Sequence, residues 1–247
     1  MKKDIIIDDG FSFGGFTAGN SGIWTREKAD DPPSEDYVSL SRELGVSVGR
    51  IVRPYQAGGE KVAVADFEHG GCGVVREDPF IRTDGLVTNC RGLVLSIIAA
   101  DCVPIYLSDE RAGVIGLLHC GRQAAAGELI SNSVDVMTSL GASAERIVLT
   151  IGHHICGSCY EVGMEVVNGF AETFSKKELE SIFSINGEKV HLELSGAIVI
   201  KAVREGIRRE NIHINGSCTC CGSSYYSYRR GDRGRQNLAF FMMKEEQ

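Results

Sequence analysis

A chain of 247 residues with 43% apolar and 24% charged side chains has ordinary globular composition and enough length for one sizeable core. Its net charge of −7 speaks against general nucleic-acid binding, which needs a basic face for the phosphates, so any anion site must be local. No run approaches the ~18 to 20 apolar residues of a membrane span, and the start MKKDIIIDDG carries Asp4, Asp8 and Asp9 where an export signal needs an apolar stretch. A cytoplasmic location is therefore expected, with neither nucleic acid nor membrane as partner.

In chain order, Ile5 to Ile7 reads as a short strand, followed by a Gly-rich loop, GFSFGGFTAGNSG. The segment ADDPPSED leads through Pro32, Pro33 and Ser34 into a helix ending near Leu44, with Gly45 as its stop. Strands are expected at Gly49 to Pro54 and Lys61 to Ala65, and a loop from Phe67 to Asp84. Leu93 to Ile98, Val103 to Leu107 and Val114 to Leu118 are continuous apolar runs, the pattern of strands buried on both faces. A helix over Gln123 to Leu140, closed by Gly141, is followed by a strand at Ile147 to Ile151. Helical spacing returns at Val162 to Phe174 and Leu194 to Arg209, and strands close the chain at Ile212 to Ile214 and Asn237 to Met243. No repeat or low-complexity linker interrupts the chain, so one mixed α and β domain over residues 1–247 is the simplest parse.

Nine cysteines, an odd number in a chain without an export signal, favour thiols, metal ligands or a nucleophile over a disulfide framework. In ADCVPIYLSDERAGVIGLLHCG, a symmetric hairpin turning at Asp109-Glu110-Arg111-Ala112 sets Cys102 directly opposite His119. A bulge at Gly113 would make the pair diagonal instead. Asp101 is then expected on the other face as a turn or supporting group. A cysteine and histidine so placed can share a metal or a proton, while spacing alone equally suits a small buried hydrophobe and a satisfied polar residue.

Near the carboxyl end, SYYSYRRGDRGRQ gathers Arg229, Arg230, Arg233 and Arg235 beside Tyr225, Tyr226 and Tyr228. Guanidinium groups bind phosphate in a forked geometry and the phenol rings offer stacking faces for a base; ion pairs within a solvated loop are the ordinary alternative. Cys156-x-x-Cys159 and Cys218-x-Cys220-Cys221 supply thiols for a closed zinc site only if the two segments meet. The second reads as irregularly spaced, and the pattern weighs against such a site.

The run TNCRGLVLSIIAADCVPIYLSDERAGVIGLLHCG resembles the central signature of the laccase-domain family, the YfiH-type proteins once called multicopper polyphenol oxidases and associated with purine nucleoside phosphorylase activity. DGFSFGGFTAGN, IGHHICGSCYEVGMEVV and SCTCCGSSYYSYRRGDRGRQNLAFFMM agree in the same order, so the resemblance spans nearly the whole chain. It implies a single α/β (mixed α+β) domain of layered β-sheets flanked by helices. It also implies phosphorolysis of purine nucleosides such as adenosine or inosine, with phosphate as co-substrate and deamination as a second activity. The partner is then a purine nucleoside or related small molecule, and the protein a monomer or small homo-oligomer.

By the same resemblance a zinc ion, copper in the older view, sits on one cysteine and two histidines. Cys102 and His119 match two of these, with Asp101 beside them in the Ala-Asp-Cys motif. The third belongs to a Gln-Val-His-Gly motif, matched here by Gln56-Ala57-Gly58-Gly59, and glycine supplies no ligand atom. His69, eleven residues on, is the candidate substitute, against its reading as a surface histidine. The chain also departs at Cys120 to Ala124, which lack the family's Trp-Arg-Gly, and at Phe13, where an Arg is usual. Arg229, Arg230 and Tyr228 become the expected phosphate and nucleoside contacts, and a loop at Gly14-Gly15 would close over the ligand. Cys159 and Cys218 are ordinary family positions, leaving Cys156, Cys220 and Cys221 as extras. Two other functions fit the departures: a paralogue that keeps nucleotide binding but has lost catalysis, and a metal-independent cysteine hydrolase or deamidase with Cys102 as nucleophile and His119 as its base.

Overall fold

The expected buried strands form the centre of the computed structural model, which describes residues 2–18, 22–24 and 32–245; the segments Gly19 to Ser21 and Ala29 to Asp31 of the sequence reading lie outside these. The strands are β1 (Lys3–Asp8), β2 (Ser12–Thr17), β3 (Ile51–Val52), β4 (Val62–Val64), β5 (Gly85–Thr88), β6 (Val94–Ala99), β7 (Val103–Asp109), β8 (Val114–Cys120), β9 (Val148–Ile151), β10 (Glu161–Val162), β11 (Phe183–Asn186), β12 (Lys189–Leu192), β13 (Ile212–Ile214) and β14 (Asn237–Met243). The helices are α1 (Glu35–Leu44), α2 (Arg122–Ala126), α3 (Leu129–Ser139), α4 (Met164–Ala171), α5 (Lys176–Ile182) and α6 (Leu194–Arg204). One sheet runs β1-β2-β14-β6-β3, a second β13-β9-β7-β8-β5-β4, and β10-β12-β11 form a small third.

The two large sheets pack face to face. Phe16, Leu95, Ile97 and Phe241 of the first meet Tyr106, Ile115 and Leu117 of the second in one buried cluster. Alternation along the same strands sends Ile105, Leu107 and Leu118 outward against α2, α3 and α6, and Leu238, Phe240 and Met242 outward against α1 and Trp24. Each central strand is thus covered on both faces, which is why it reads as an unbroken apolar run. The layered mixed α/β architecture agrees with the expectation. Helix α1 also ends as read: Gly45 takes the left-handed conformation (φ 68°) and its N–H closes on the last-turn carbonyls of Arg42 and Ser41.

Several elements differ from the reading. The Gly-rich segment is mostly strand: β2 is paired to β1 on one side and β14 on the other, so Gly14 and Gly15 are interior and cannot close over a ligand. Small residues are needed there because a Cβ on Gly15 would stand 2.6 Å from the Phe240 ring and 2.8 Å from the Asp4 carbonyl. Gly15→Val is expected to lower unfolding free energy by about 3 kcal/mol through this overpacking, read as a lower urea midpoint at unchanged m-value.

The helix expected over Gln123 to Leu140 breaks at Gly127, which is extended (φ −91°, ψ −148°), and the strand expected at Gly49 to Pro54 contracts to β3 after a short 3-10 turn. The helical segment ending at Arg209 stops at Arg204, short of a left-handed Gly206 (φ 86°). Strand β5, helix α5 and the β11–β12 hairpin were not anticipated.

Candidate active site

The β7–β8 hairpin sets the site. Its register pairs Asp109 with Val114 and Pro104 with His119, so the turn is Glu110 to Gly113, with Gly113 left-handed (φ 65°). This corrects the symmetric register: Cys102 stands level with Gly121, whose Cβ position lies 3.3 Å from the Cys102 sulfur, and is diagonal to His119. The two remain on one face, since both extend the inward-facing rows of their strands toward the space between the sheets. The Cys102 thiol lies within hydrogen-bonding reach of the His119 ring.

Asp84, just before β5, completes the group. Its Oδ1 is 2.9 Å from His119 Nδ1, and its two oxygens accept the N–H groups of Ala57, Gly58 and Gly59 at 2.8–3.1 Å. Burial opposes charge on this fully enclosed carboxylate, but His119 and the amides of Gly59 and Ala57 outweigh it and hold its pKa below the ordinary range. An ionised carboxylate only accepts, so Nδ1 carries the proton and donates, leaving Nε2 for Cys102. Burial likewise works against a charged imidazole, yet Cys102 and Asp84 together push His119 up to about 10.

The sign of the pH dependence follows. His119 is raised above its ordinary value of 6.5, so its contribution to stability is complete below pH 6.5 and is lost as pH rises through about 10. Asp84 is depressed below 3.8, so its contribution is present above that value and is lost as pH falls through its lowered pKa. Asp84→Asn is expected to reduce turnover by about 10- to 100-fold and to move the basic limb of the pH–rate profile toward acid; an unshifted limb would show that Asp84 does not set the His119 charge.

Cys102 and His119, with Asp84 enclosed behind them, form the floor of a pocket of about 510 Å³ at one end of the sheet sandwich, walled by Gln56, Tyr160, Tyr228, Arg229 and Arg235, a volume suited to a small ligand. Gln56 is pinned to β6 through both its amide atoms, which bond the Ile98 backbone at 2.8 Å. Asp101 adopts a positive φ of 96°, a costly conformation for a side-chain-bearing residue. It is held there because its oxygens accept from Thr219 Oγ1 at 2.6 Å and Arg229 N at 2.7 Å. Both oxygens of its carboxylate are thus engaged in joining loops, at a residue that also lines the pocket.

The arginines divide. The Arg229 guanidinium bonds the carbonyls of Cys159 and Glu161 and lies 5.2 Å over the Tyr160 ring. Arg230 is spent on the carbonyls of Thr219, Cys220, Gly222 and Tyr225 and on Asp232 and does not line the pocket; this loop-holding role corrects its reading as a ligand contact. Tyr228 does line it and is 58% exposed. Arg235, one of the four clustered arginines but not among those the resemblance singles out, brings a guanidinium to the same wall, 5.7 Å over Tyr226. Tyr160 bonds Arg122, which occupies the position of the family's missing Trp.

His69 does not join the site. Asp66 takes its Nδ1 at 2.7 Å in the cap of a 3-10 turn, and its ring rests 4.8 Å from Phe80. His153 is bonded to Ser217 N and Tyr225 Oη in the core. Gly58 is left-handed (φ 71°) with nothing within 4 Å of its Cβ position. Among the described residues, the set of three or more His, Cys, Asp or Glu with ligand atoms within 4.8 Å of one another is Cys156, Cys159, Cys218 and Cys221. Cys102 and His119 thus present two donors where a catalytic zinc takes three and a water, and the donor set does not fit the metal that the resemblance implies there.

Fold and site together define a two-sheet α/β sandwich with a thiol, imidazole and carboxylate at one mouth. The chain belongs to the family described as multi-copper polyphenol oxidoreductase laccase, whose sequence model matches residues 8–244. It is 34% identical over 227 residues to a purine nucleoside phosphorylase of Deinococcus radiodurans, spanning 90% of this chain and 83% of that one. Adenosine deaminase RL5, from an unknown prokaryotic organism, is 32% identical over 196 residues, or 78% and 74% of the two chains. Of solved structures, hypothetical protein YfiH of Bacillus licheniformis matches with a TM-score of 0.83 at 25% identity over 94% of this chain and 93% of that one. YlmD of Geobacillus stearothermophilus matches equally, at 25% identity over 95% and 92%. Among the described residues no helix is long and apolar enough to cross a membrane.

Proposed function

We propose that the chain is a purine nucleoside phosphorylase that works through His119 without a metal in this pocket. The observation that carries the reading is the His119 imidazole, held protonated near neutral pH between Cys102 and Asp84, on the floor of a nucleoside-sized pocket with tyrosine and arginine walls. The names of the relatives supply the substrate class.

In this reaction phosphate oxygen bonds to C1′ of the pentose as the bond from C1′ to N9 breaks. The purine leaves with that electron pair and takes a proton from His119 Nε2. The hydrogen phosphate loses its own proton on becoming an ester, and that proton restores the imidazolium. Arg235 and the edge of Arg229 supply positive charge for phosphate, and Tyr160 and Tyr228 supply faces for the base. A developing negative charge on the purine is stabilised by the nearby cation in a site partly closed to water.

A second reading is favoured by the chain of contacts Cys102, His119 and Asp84, which is the arrangement of a cysteine hydrolase. Cys102 sulfur would add to C6 of adenosine, ammonia would leave with a proton delivered by His119, and water would then displace the thiol to give inosine. Incubation of the purified protein with adenosine, with and without phosphate, separates the two. Phosphate-dependent adenine and pentose 1-phosphate support the first; phosphate-independent inosine, with rapid alkylation of Cys102 by iodoacetamide, supports the second. No turnover of adenosine or inosine under either condition would refute both.

A further inference from the structure

Two loops outside the chemistry described above converge on four sulfur atoms. One, following β9, carries Cys156 and Cys159; the other, following β13, carries Cys218 and Cys221. They run side by side, with Thr219 N bonded to His154 O at 3.0 Å and His154 N to Ser217 O at 3.2 Å. All four sulfurs lie within 4.8 Å of one another, with Cys221 at 3.4 Å from Cys159 and 3.7 Å from Cys156. Tetrahedral zinc with bonds of about 2.3 Å sets its sulfurs roughly 3.8 Å apart, so the cluster has the dimensions of that shell.

The spacing supports the same conclusion. Cys218 and Cys221 are themselves a Cys-x-x-Cys pair; Cys220, between them, masks the regularity and is not among the four. The backbone N–H groups of Cys156, Cys220 and Cys221 all point at the Cys218 sulfur, at 3.3–3.4 Å. Three donors converging on one sulfur suit a thiolate, the form that binds metal. Four thiolates at this range repel one another unless a cation lies between them, and all four positions are protein-supplied, as in a closed structural site rather than a catalytic one.

We propose that Cys156, Cys159, Cys218 and Cys221 bind one structural zinc ion that fastens together the two loops walling the pocket. The consequence for the pocket is direct. Between or beside these cysteines lie Tyr160, which forms a wall, Thr219, which holds Asp101, and the Cys159 and Cys220 carbonyls, which anchor Arg229 and Arg230. The metal thus acts on the pocket through position alone, and its presence does not depend on which reaction the pocket performs.

Elemental analysis of the full-length protein expressed in zinc-supplemented medium tests this. The expected result is one zinc per chain, retained in Cys102→Ala and lost in Cys221→Ser. Cobalt exchanged into the wild-type protein is expected to give the intense visible bands and sulfur charge transfer of a tetrahedral all-thiolate site, a measurement that needs no variant to fold. Stripping zinc with a chelator is expected to expose four additional thiols to alkylation and to lower Tm by about 10 °C, with recovery on adding zinc. A wild-type protein without zinc, zinc lost from Cys102→Ala but kept by Cys221→Ser, or a mass two hydrogens lighter through a disulfide among the four would each overturn the assignment.

Discussion

His119→Asn is expected to lower kcat/KM for purine nucleoside phosphorolysis by about 10³-fold, near 4 kcal/mol of transition-state stabilisation. Asn keeps a polar side chain facing Asp84 but cannot carry the proton that the departing purine needs. The loss should fall on kcat more than on KM, because the proton is transferred only as the glycosidic bond breaks. Nucleosides whose base already leaves easily, such as a 7-methylated purine, should be far less affected. Cys102→Ala separates the readings: about a tenfold loss is expected if Cys102 only supports the His119 charge, and complete loss if its sulfur is the nucleophile. An His119→Asn protein that is folded and retains more than a tenth of wild-type phosphorolysis would exclude His119 as the proton donor.

Gly58→His is expected to create a metal site that the natural chain lacks in its pocket. The Gly58 N–H and the His119 ring share one oxygen of Asp84, so the backbone at 58 stands close to His119, although Gly58 itself lines the neighbouring cavity with Arg122 and Gln123. Nothing lies within 4 Å of its Cβ position. A left-handed φ of 71° costs a non-glycine residue about 1 to 2 kcal/mol, less than a third ligand contributes. The variant is expected to bind one more zinc per chain than wild type and to hold it about 10³-fold more tightly than the unaltered pocket does. That extra ion should vanish in Gly58→His with Cys102→Ala. An unchanged zinc content in Gly58→His would show that the Gln56 to Gly59 turn does not aim a side chain at the pair.

Much of this molecule is legible in one dimension. The unbroken apolar runs at β6, β7, β8 and β14 announce strands covered on both faces, because no solvent-facing row has to be polar. Helix α1 ends at Gly45 through chemistry contained within its own last turn, whereas the Ser34 side chain makes no capping bond at its start. The motifs around Cys102 and His119 point to the candidate site and to the family, and Gly58 marks the departure in the same way. Each of these signals depends on residues close in sequence or on the inside–outside pattern of a single strand.

Other features arise only from segments brought together by the fold. Gly14 and Gly15 belong to a strand because Phe240 and Phe241 of β14 need the space above them. The sequence leaves direct and diagonal placement of Cys102 and His119 both open, and the folded hairpin, with Gly113 left-handed, takes the diagonal. Asp84 is unremarkable in sequence; three amides and an imidazole make it the support of the site. Arg230 is a cation in sequence and a loop brace in space. The four clustered cysteines lie in two loops about sixty residues apart, and only the parallel pairing of β13 with β9 sets those loops side by side. Local propensity and burial pattern are written into the chain, whereas register, long-range hydrogen bonding and ligand convergence are decided by packing.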